Sequence, residues 1–397
     1  MLRLFYCRMT RWLIVVSSLL LVACQSTSTV QNSIPVNDSL YLDHEFPNYQ
    51  AQAIESEHDV FAIDDEMKEM VRSKLLVVRE NKRRAKRLLD HIFSKKNIDL
   101  IYESSANLTA QEAYHSQVAN CMSLTIMAYA LAKEAGLDVR FQDVKVPEYW
   151  IRNGEYNLLT GHVNLVITEP KSPHKLIALG KNLLQIDFDP AMARNRFPKK
   201  TVNKDTVLAM FYNNKGADAL VDKQYSRAYA YFKQATQLAP SFSPAWGNLG
   251  ILYKLTANYT EAEKAYQYAI AIDQDNLTAM GNLAFLLKSL GKIEQADDLH
   301  QVIHNKRITN PYYHALLGDE AFFRGNNDLA LHHYKTALRM NRKIHEFHYG
   351  IAKVYYELGQ IDKAEKAMQR AISYNDGALV ESQYVAKLNF FKESSVQ

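Results

Sequence analysis

The most regular pattern in this chain is an interval of 34 residues in its C-terminal half. Small alanines recur at that interval, and the residues four and seven positions after each alanine are large or apolar in most copies. The alanines are Ala228, Ala262, Ala296, Ala330 and Ala364. Glycines at Gly291, Gly325 and Gly359 mark turns between helical stretches. The pattern predicts an array of helical hairpins over 206–376, followed by a capping helix and tail over 377–397.

In the middle of the chain, apolar residues first recur at helical spacing and then alternate with polar residues. The residues at helical spacing are Leu124, Met127, Ala128, Leu131 and Ala132. Asn120 is a suitable N-cap and Gly136 a suitable end, so we expect Cys121 in the first turn of a buried helix. There the helix dipole and free backbone N–H groups favour a thiolate. After Gly136 polar and apolar residues alternate, which predicts antiparallel strands, one of them over 157–168 with His162.

The first 23 residues have the pattern of an export signal. Three arginines precede an apolar run over 12–22 that is too short to span a bilayer. The run ends just before Cys24, and this arrangement resembles the bacterial lipoprotein box, in which the cysteine is acylated and becomes the mature N-terminus. An ordinary signal peptide cut near Ala23 is the alternative.

The lipoprotein resemblance implies lipid attachment at Cys24 and a membrane-anchored protein of the bacterial cell envelope. Gln25 in the next position implies the outer membrane, with the protein facing the periplasm. Residues 24–60 begin with a stretch rich in Ser, Thr, Gln and Asn, which predicts a flexible tether.

Composition, net charge and cysteine number exclude some classes of structure and partner. The 397 residues include 14 glycines and 10 prolines, a low share that favours a mostly helical body. The formal charge of +4 falls to +1 once the three arginines of the signal are removed, so no nucleic-acid partner is predicted. Of three cysteines, Cys121 alone would remain as a thiol, so no internal disulfide is expected. It is either a buried apolar residue or a reactive thiol.

The order of a cysteine-headed helix, a strand with His162 and a later strand ending in 186–190 resembles the transglutaminase-like fold. The resemblance covers about 87–190 and implies an α+β domain, predicted over 61–205, made of helices plus an antiparallel sheet. The sequence departs from the family at Ala119, where glycine is common, and at Leu183, where tryptophan is common.

The same resemblance implies a Cys121–His162–Asp187 site, with Asp189 as the alternative third member. His162 would deprotonate the thiol, the aspartate would orient the imidazole, and an acyl-enzyme would form on attack at an amide. Water would then give hydrolysis, and an amine would give acyl transfer.

The C-terminal interval resembles the tetratricopeptide repeat, most clearly at Trp246 and the three residues Leu249, Gly250 and Tyr253. The resemblance implies an all-α solenoid of about five repeats with a concave groove for a peptide or protein partner. Asn214, Asn248 and Asn282 share one position of the repeat, and their amides could bind a peptide backbone. Alternatively they stabilise the hairpins or face water.

Two functions follow from these patterns. The first is an envelope lipoprotein with a thiol site for amide hydrolysis or acyl transfer on peptides, which the repeats would capture. The second is a non-catalytic scaffold or adaptor lipoprotein whose middle domain has a degenerate site. No phosphate-binding glycine loop occurs, and the helical pair His300 and His304 lacks a third ligand, so no cofactor or metal is predicted.

Overall fold

The architecture comes from a computed structural model. It describes residues 37–93, 101–103, 105–146, 148, 150–153, 156–159, 161–168, 182–186, 197–375, 384–385 and 387–388. The signal segment 1–23, the predicted lipid site Cys24, the aspartates Asp187 and Asp189, and most of the predicted cap and tail lie outside the described residues. No helix within the described ranges is both long and apolar enough to cross a membrane.

Residues 37–61 form a folded segment rather than the tether that the sequence predicted. Three short 3-10 turns over 38–51 lead to α1 (Glu57–Phe61), whose N-cap Ser56 forms a capping box with Asp59. Phe46 is 2% exposed and stacks on Tyr229 with ring centroids 4.4 Å apart. The prediction of a flexible tether is therefore wrong for residues 37–60, because their scattered aromatic side chains find partners on the repeats.

Within the described residues, the α+β part contains four further α-helices, a π-helical turn (Val71–Leu75) and eight strands. The helices are α2 (Asp65–Met70), α3 (Asn81–Phe93), α4 (Ala110–Ser116) and α5 (Cys121–Glu134). The strands are β1 (Ile101–Tyr102), β2 (Val118–Ala119), β3 (Asp138–Val144), β4 (Trp150–Asn153), β5 (Tyr156–Leu159), β6 (His162–Thr168), β7 (Asn182–Ile186) and β8 (Lys199–Val202). The main sheet has the order β7-β6-β3-β8 with antiparallel neighbours, and the mostly buried α5 packs against β6 and β3.

The strand predicted over 157–168 is divided in two. Its first part, β5, pairs with β4 as a separate hairpin, whereas β6 pairs with β3 and β7. The division falls at the exposed Gly161. A glycine inside an alternating pattern is a common site of such a break.

Ten helices over 204–374, a stretch the structure describes completely, form five antiparallel hairpins. The first helices of the hairpins are α6 (Lys204–Val221), α8 (Ser243–Leu255), α10 (Leu277–Ser289), α12 (Pro311–Phe323) and α14 (His345–Glu357). The second helices are α7 (Tyr225–Leu238), α9 (Tyr259–Ile272), α11 (Ile293–Arg307), α13 (Asn327–Met340) and α15 (Ile361–Tyr374). First helices contact each other directly from α6 to α8 and from α8 to α10, as on the inner surface of a solenoid.

The repeated alanines are fully buried between the helices, as their small size predicted. Gly250 shows how close the helices come. A Cβ atom built on Gly250 would lie 2.6 Å from the Tyr266 ring, so only glycine allows this approach.

One position in the first helix anchors the preceding loop in the second, fourth and fifth repeats. Trp246 donates its Nε1–H to the Pro240 carbonyl at 2.9 Å. In the fourth and fifth repeats a histidine at the same position places its Nε2 against the carbonyl six residues earlier, at 3.0 Å for His314 and 2.8 Å for His348. A buried ring N–H needs an acceptor, and this carbonyl supplies it.

The solenoid core is interrupted between the third and fourth repeats. The apolar cluster of the early repeats ends at Leu299, and that of the late repeats begins at Ala315. Helix α11 buries only Ala296 and Ile303, because the exposed His300 stands where the second repeat has the buried Tyr266.

A loop of the α+β part contacts the chain between the third and fourth repeats, a region that we call the joint. Arg307, at the end of α11, donates from its guanidinium to Glu148 at 2.7 Å, and Asn310 donates to the Glu148 carbonyl at 3.1 Å. Both members of the ion pair are mostly shielded from solvent, with side chains 13% and 20% exposed. Two hydrogen bonds from one guanidinium fix the geometry of such a pair.

Candidate functional site

Helix α5 begins as the sequence predicted. Asn120 is the N-cap, and its Oδ1 accepts a hydrogen bond from the backbone N–H of Ser123 at 2.9 Å. Cys121 is the first residue of the helix, a half-buried free thiol. Gly136 follows the helix with φ +70, the left-handed conformation expected of a terminating glycine.

His162 lies next to this helix. It is the first residue of β6 and is 6% exposed. The hydroxyl of Thr125, one turn after the cysteine, lies 2.7 Å from the Cys121 carbonyl and 3.3 Å from the Val163 carbonyl. The start of α5 and the start of β6 are therefore at the same end of the domain, as the predicted site requires. The third predicted member, Asp187, lies outside the described residues.

A buried amide network, which the sequence did not suggest, joins the start of α5 to the first repeat. Asn120 donates to Asn107 at 2.7 Å, and Asn214 of α6 donates to the same Asn107 oxygen at 3.3 Å. Asn107 in turn donates to Asp218 at 2.7 Å. Burial raises the pKa of the Asp218 carboxyl above its usual value, against the lowering effect of the Asn107 hydrogen bond. The network places Cys121 beside the inner surface of the first repeat.

The three asparagines predicted as peptide ligands differ in their surroundings. Asn214 belongs to the network, and Asn248 donates to Asn213 of the neighbouring first helix at 2.8 Å. Asn282 is half-buried. Asn248 thus joins two neighbouring first helices, and Asn214 joins α6 to the loop at Asn107. A peptide-binding role for the three amides stays a prediction.

The open surface of the second and third repeats carries apolar and cationic side chains. Phe285 of α10 is 63% exposed, and the Lys254 Nζ of α8 lies 4.8 Å from its ring centroid. Burial lowers the pKa of the Lys254 ammonium. Ile251 occupies the repeat position of Phe285, one repeat earlier, and is half-buried.

The corresponding surface of the last two repeats is paired internally. Lys353 forms a 2.9 Å ion pair with Asp319, which also accepts a hydrogen bond from the Tyr334 hydroxyl at 2.6 Å. Tyr384, one of the few described residues beyond 375, is buried against Tyr349 of this surface, with ring centroids 4.9 Å apart.

No group of three or more metal-binding side chains occurs within the ranges that the structure describes. The predicted site residues there are a thiol, an imidazole and amides, which need no cofactor for the chemistry considered above.

The C-terminal half contains tetratricopeptide repeats, as the 34-residue interval indicated. Family models for the tetratricopeptide repeat match residues 243–276 and 316–378. The third repeat lies between the two matched stretches and is the one with the poorly buried α11.

Curated relatives match part of the chain. The human protein O-mannosyl-transferase TMTC3 is 30% identical over 191 residues, which are 44% of this chain and 20% of that protein. The fission-yeast superkiller protein 3 (Schizosaccharomyces pombe) is 25% identical over 152 residues, or 36% of this chain and 11% of that one. The chain thus spans about a fifth or less of these two relatives.

Solved structures also resemble part of the chain. YrrB, a TPR protein with an unusual peptide-binding site, is 19% identical and covers 46% of this chain and 92% of its own, with a TM-score of 0.25. PilF of Pseudomonas aeruginosa is 16% identical and covers 48% of this chain and 87% of its own, with a TM-score of 0.30.

Proposed function

We propose that this chain is a protein-binding scaffold whose repeats hold an extended segment of a partner on the first-helix surface. Tetratricopeptide-repeat proteins bind peptides or proteins. The observation that carries the proposal is the open surface of α8 and α10, where a large aromatic side chain, Phe285, is 63% exposed. Exposed aromatic residues beside polar groups are typical of recognition surfaces.

Peptide selection tests the scaffold. A random peptide library displayed on phage is selected against the full chain, and the selected peptides are synthesised and titrated. We expect micromolar binders, about −8 kcal/mol. Ile251→Glu on the first-helix surface should abolish binding. Gln267→Glu, on the exposed outer side of α9, is the matched control and should not. Peptides that bind both variants equally would contradict the proposed surface.

A second candidate function is thiol chemistry at Cys121. It is supported by the position of the cysteine in the first turn of α5 and by the nearby start of β6 with His162. In this proposal the thiolate attacks a peptide amide, the imidazole protonates the leaving amine, and the acyl-enzyme passes its acyl group to water or an amine. The third member, Asp187 or Asp189, is proposed from the sequence resemblance.

Alkylation kinetics test the thiol proposal independently of any substrate. We expect iodoacetamide to label Cys121 at pH 7 faster than a model thiol does, and His162→Ala to remove the excess rate. Asp187→Asn and Asp189→Asn compare the two aspartates. Labelling no faster than the model thiol would contradict the thiol proposal and leave the scaffold as the only proposed function of the two.

We also propose that Cys24 carries the lipid that anchors the protein in the bacterial envelope. Support comes from the residues before the cysteine, a short apolar run ending in a small residue. In a bacterial host, radioactive palmitate should label the full chain, and Cys24→Ser should remove the label. A label that persists in Cys24→Ser would overturn the anchor.

A further inference from the structure

The first helices of the second and third repeats have an unbalanced charge. Neither α8 nor α10 contains an aspartate or glutamate, and each carries one lysine. These lysines, Lys254 and Lys288, stand 34 residues apart, so they occupy the same position on neighbouring helices. Within the described part of the chain neither one forms an ion pair, so their charges are not neutralised by the protein.

Apolar side chains lie beside these two cations. The Phe285 ring is 63% exposed with the Lys254 ammonium 4.8 Å from its centroid, and Leu255 is 37% exposed. We call Ile251, Lys254, Leu255, Phe285 and Lys288 the cationic patch. A half-buried lysine held against a ring loses solvation, and a carboxylate brought to it restores the lost interaction at low dielectric.

The late repeats provide an internal comparison. There Lys353 also lies near aromatic rings, 5.5 Å from Phe322 and 5.4 Å from Tyr349, but Asp319 neutralises it at 2.9 Å. A lysine beside aromatic rings thus has a carboxylate partner in the late repeats, at Lys353. Lys254 has no such partner among the described residues.

We propose that the cationic patch selects acidic peptides, binding aspartate or glutamate side chains at Lys254 and Lys288 and an apolar side chain against Phe285. The proposal rests on the scaffold function above and specifies its ligand. Neighbouring helix axes lie about 8–10 Å apart. An extended peptide advances roughly 3.3 Å per residue. Carboxylates two or three residues apart would therefore reach both lysines.

Fluorescence anisotropy with defined probes tests this selectivity on the full chain. The acidic probe is a fluorescein-labelled, C-terminally amidated nonapeptide of three leucine-aspartate-aspartate repeats; the neutral probe replaces every aspartate with asparagine. We expect the acidic probe to bind at least about tenfold more tightly at low salt and to weaken as salt rises. Amidation ensures that side-chain carboxylates, not the terminus, are measured.

Single substitutions test which side chains of the cationic patch produce the preference for the acidic probe. Lys254→Gln should weaken the acidic probe about fivefold, as for one partly screened ion pair, and leave the neutral probe unchanged. Phe285→Ala should weaken both probes, because the ring packs against leucine in either. Lys366→Gln removes an exposed lysine of α15 outside the patch and should change neither probe.

The outcomes separate this proposal from the scaffold function. Equal binding of the acidic and neutral probes, or no effect of Lys254→Gln, would overturn the acidic selectivity. If the phage-selected peptides still lost binding in Ile251→Glu, the scaffold would stand. If no selected peptide bound at all, both proposals would fail.

Discussion

The first three repeats and the last two share one hairpin design but are held together differently. In the second repeat Trp246, Tyr253 and Tyr266 are fully buried, and the 37–61 segment packs its own aromatics among them. In the late repeats histidines take the anchoring position, and the inner lysine is neutralised. In the early repeats Lys254 lies beside an exposed ring on the first-helix surface, where a ligand can reach it. In the late repeats Lys353 is paired with Asp319 within the protein.

The largest test of this comparison is removal of the anchoring side chain. Trp246→Ala deletes a fully buried ring and its hydrogen bond to Pro240, and should cost about 3–5 kcal/mol of unfolding free energy. His314→Ala, at the equivalent position, should cost less because the side chain is smaller and the repeat less packed. Urea unfolding followed by circular dichroism measures both. Equal costs would contradict the difference in packing.

Acid should destabilise the late repeats selectively. Burial lowers the pKa of His348, with a further lowering from Arg370 and an opposing effect of the Arg342 carbonyl. The folded state therefore binds fewer protons than the unfolded state, so the contribution to stability is full above the ordinary histidine pKa and is lost as pH falls through it towards the folded value.

Regional hydrogen exchange reads out this difference. Between pH 7.5 and pH 5, with rates corrected for intrinsic exchange, protection over 345–374 should fall more than protection over 243–272, where Trp246 does not titrate. His348→Asn should flatten the dependence. Uniform loss along the solenoid would refute the local origin.

Breaking the ion pair at the joint should loosen the connection between the two groups of repeats. Arg307→Ala leaves Glu148 without its guanidinium, at a cost of about 1.5–3 kcal/mol for charge-assisted hydrogen bonds. Amide exchange should rise around 307–313. Lys292→Ala is the control, since its pair with Glu263 joins helices of repeats that are already packed. Unchanged exchange in Arg307→Ala would show that the pair does not hold the joint.

The smallest effect is expected at Phe323, which is 80% exposed at the end of α12. Phe323→Ala should change stability by no more than about 0.5 kcal/mol. Thermal unfolding checks this. A larger loss would show that the contacts of Phe323 contribute to stability despite its exposure, and would weaken the distinction between the early and the late repeats.

Sequence patterns predicted the structure correctly where that structure depends on residues only a few positions apart in the chain. The N-cap Asn120, the helix start at Cys121 and the termination at Gly136 need only residues within a few positions, and all are confirmed. The hairpins are confirmed for the same reason. The transglutaminase-like assignment, the triad and the lipid anchor stay predictions.

Contacts between distant residues were missed. The 37–61 segment reaches Tyr253, whose hydroxyl donates to the Leu40 carbonyl at 2.7 Å across 213 positions of sequence. Asn214 was predicted as a peptide ligand from the repeat position that it shares with Asn248 and Asn282, and in the structure its amide donates to Asn107 of the α+β part. No spacing within the repeats could have revealed that partner.

The sequence alone determined the helical hairpins, their 34-residue interval and the start of α5, because helix caps, turn glycines and small interface residues act over short distances. Tertiary structure decided which lysines of the first helices have a carboxylate partner within the protein. Lys254 and Lys353 both sit on aromatic rings, and only the folded chain brings Asp319 to one of them. An unpaired charge is a property of three-dimensional neighbours, since Coulomb interactions depend on distance and burial rather than on separation along the chain.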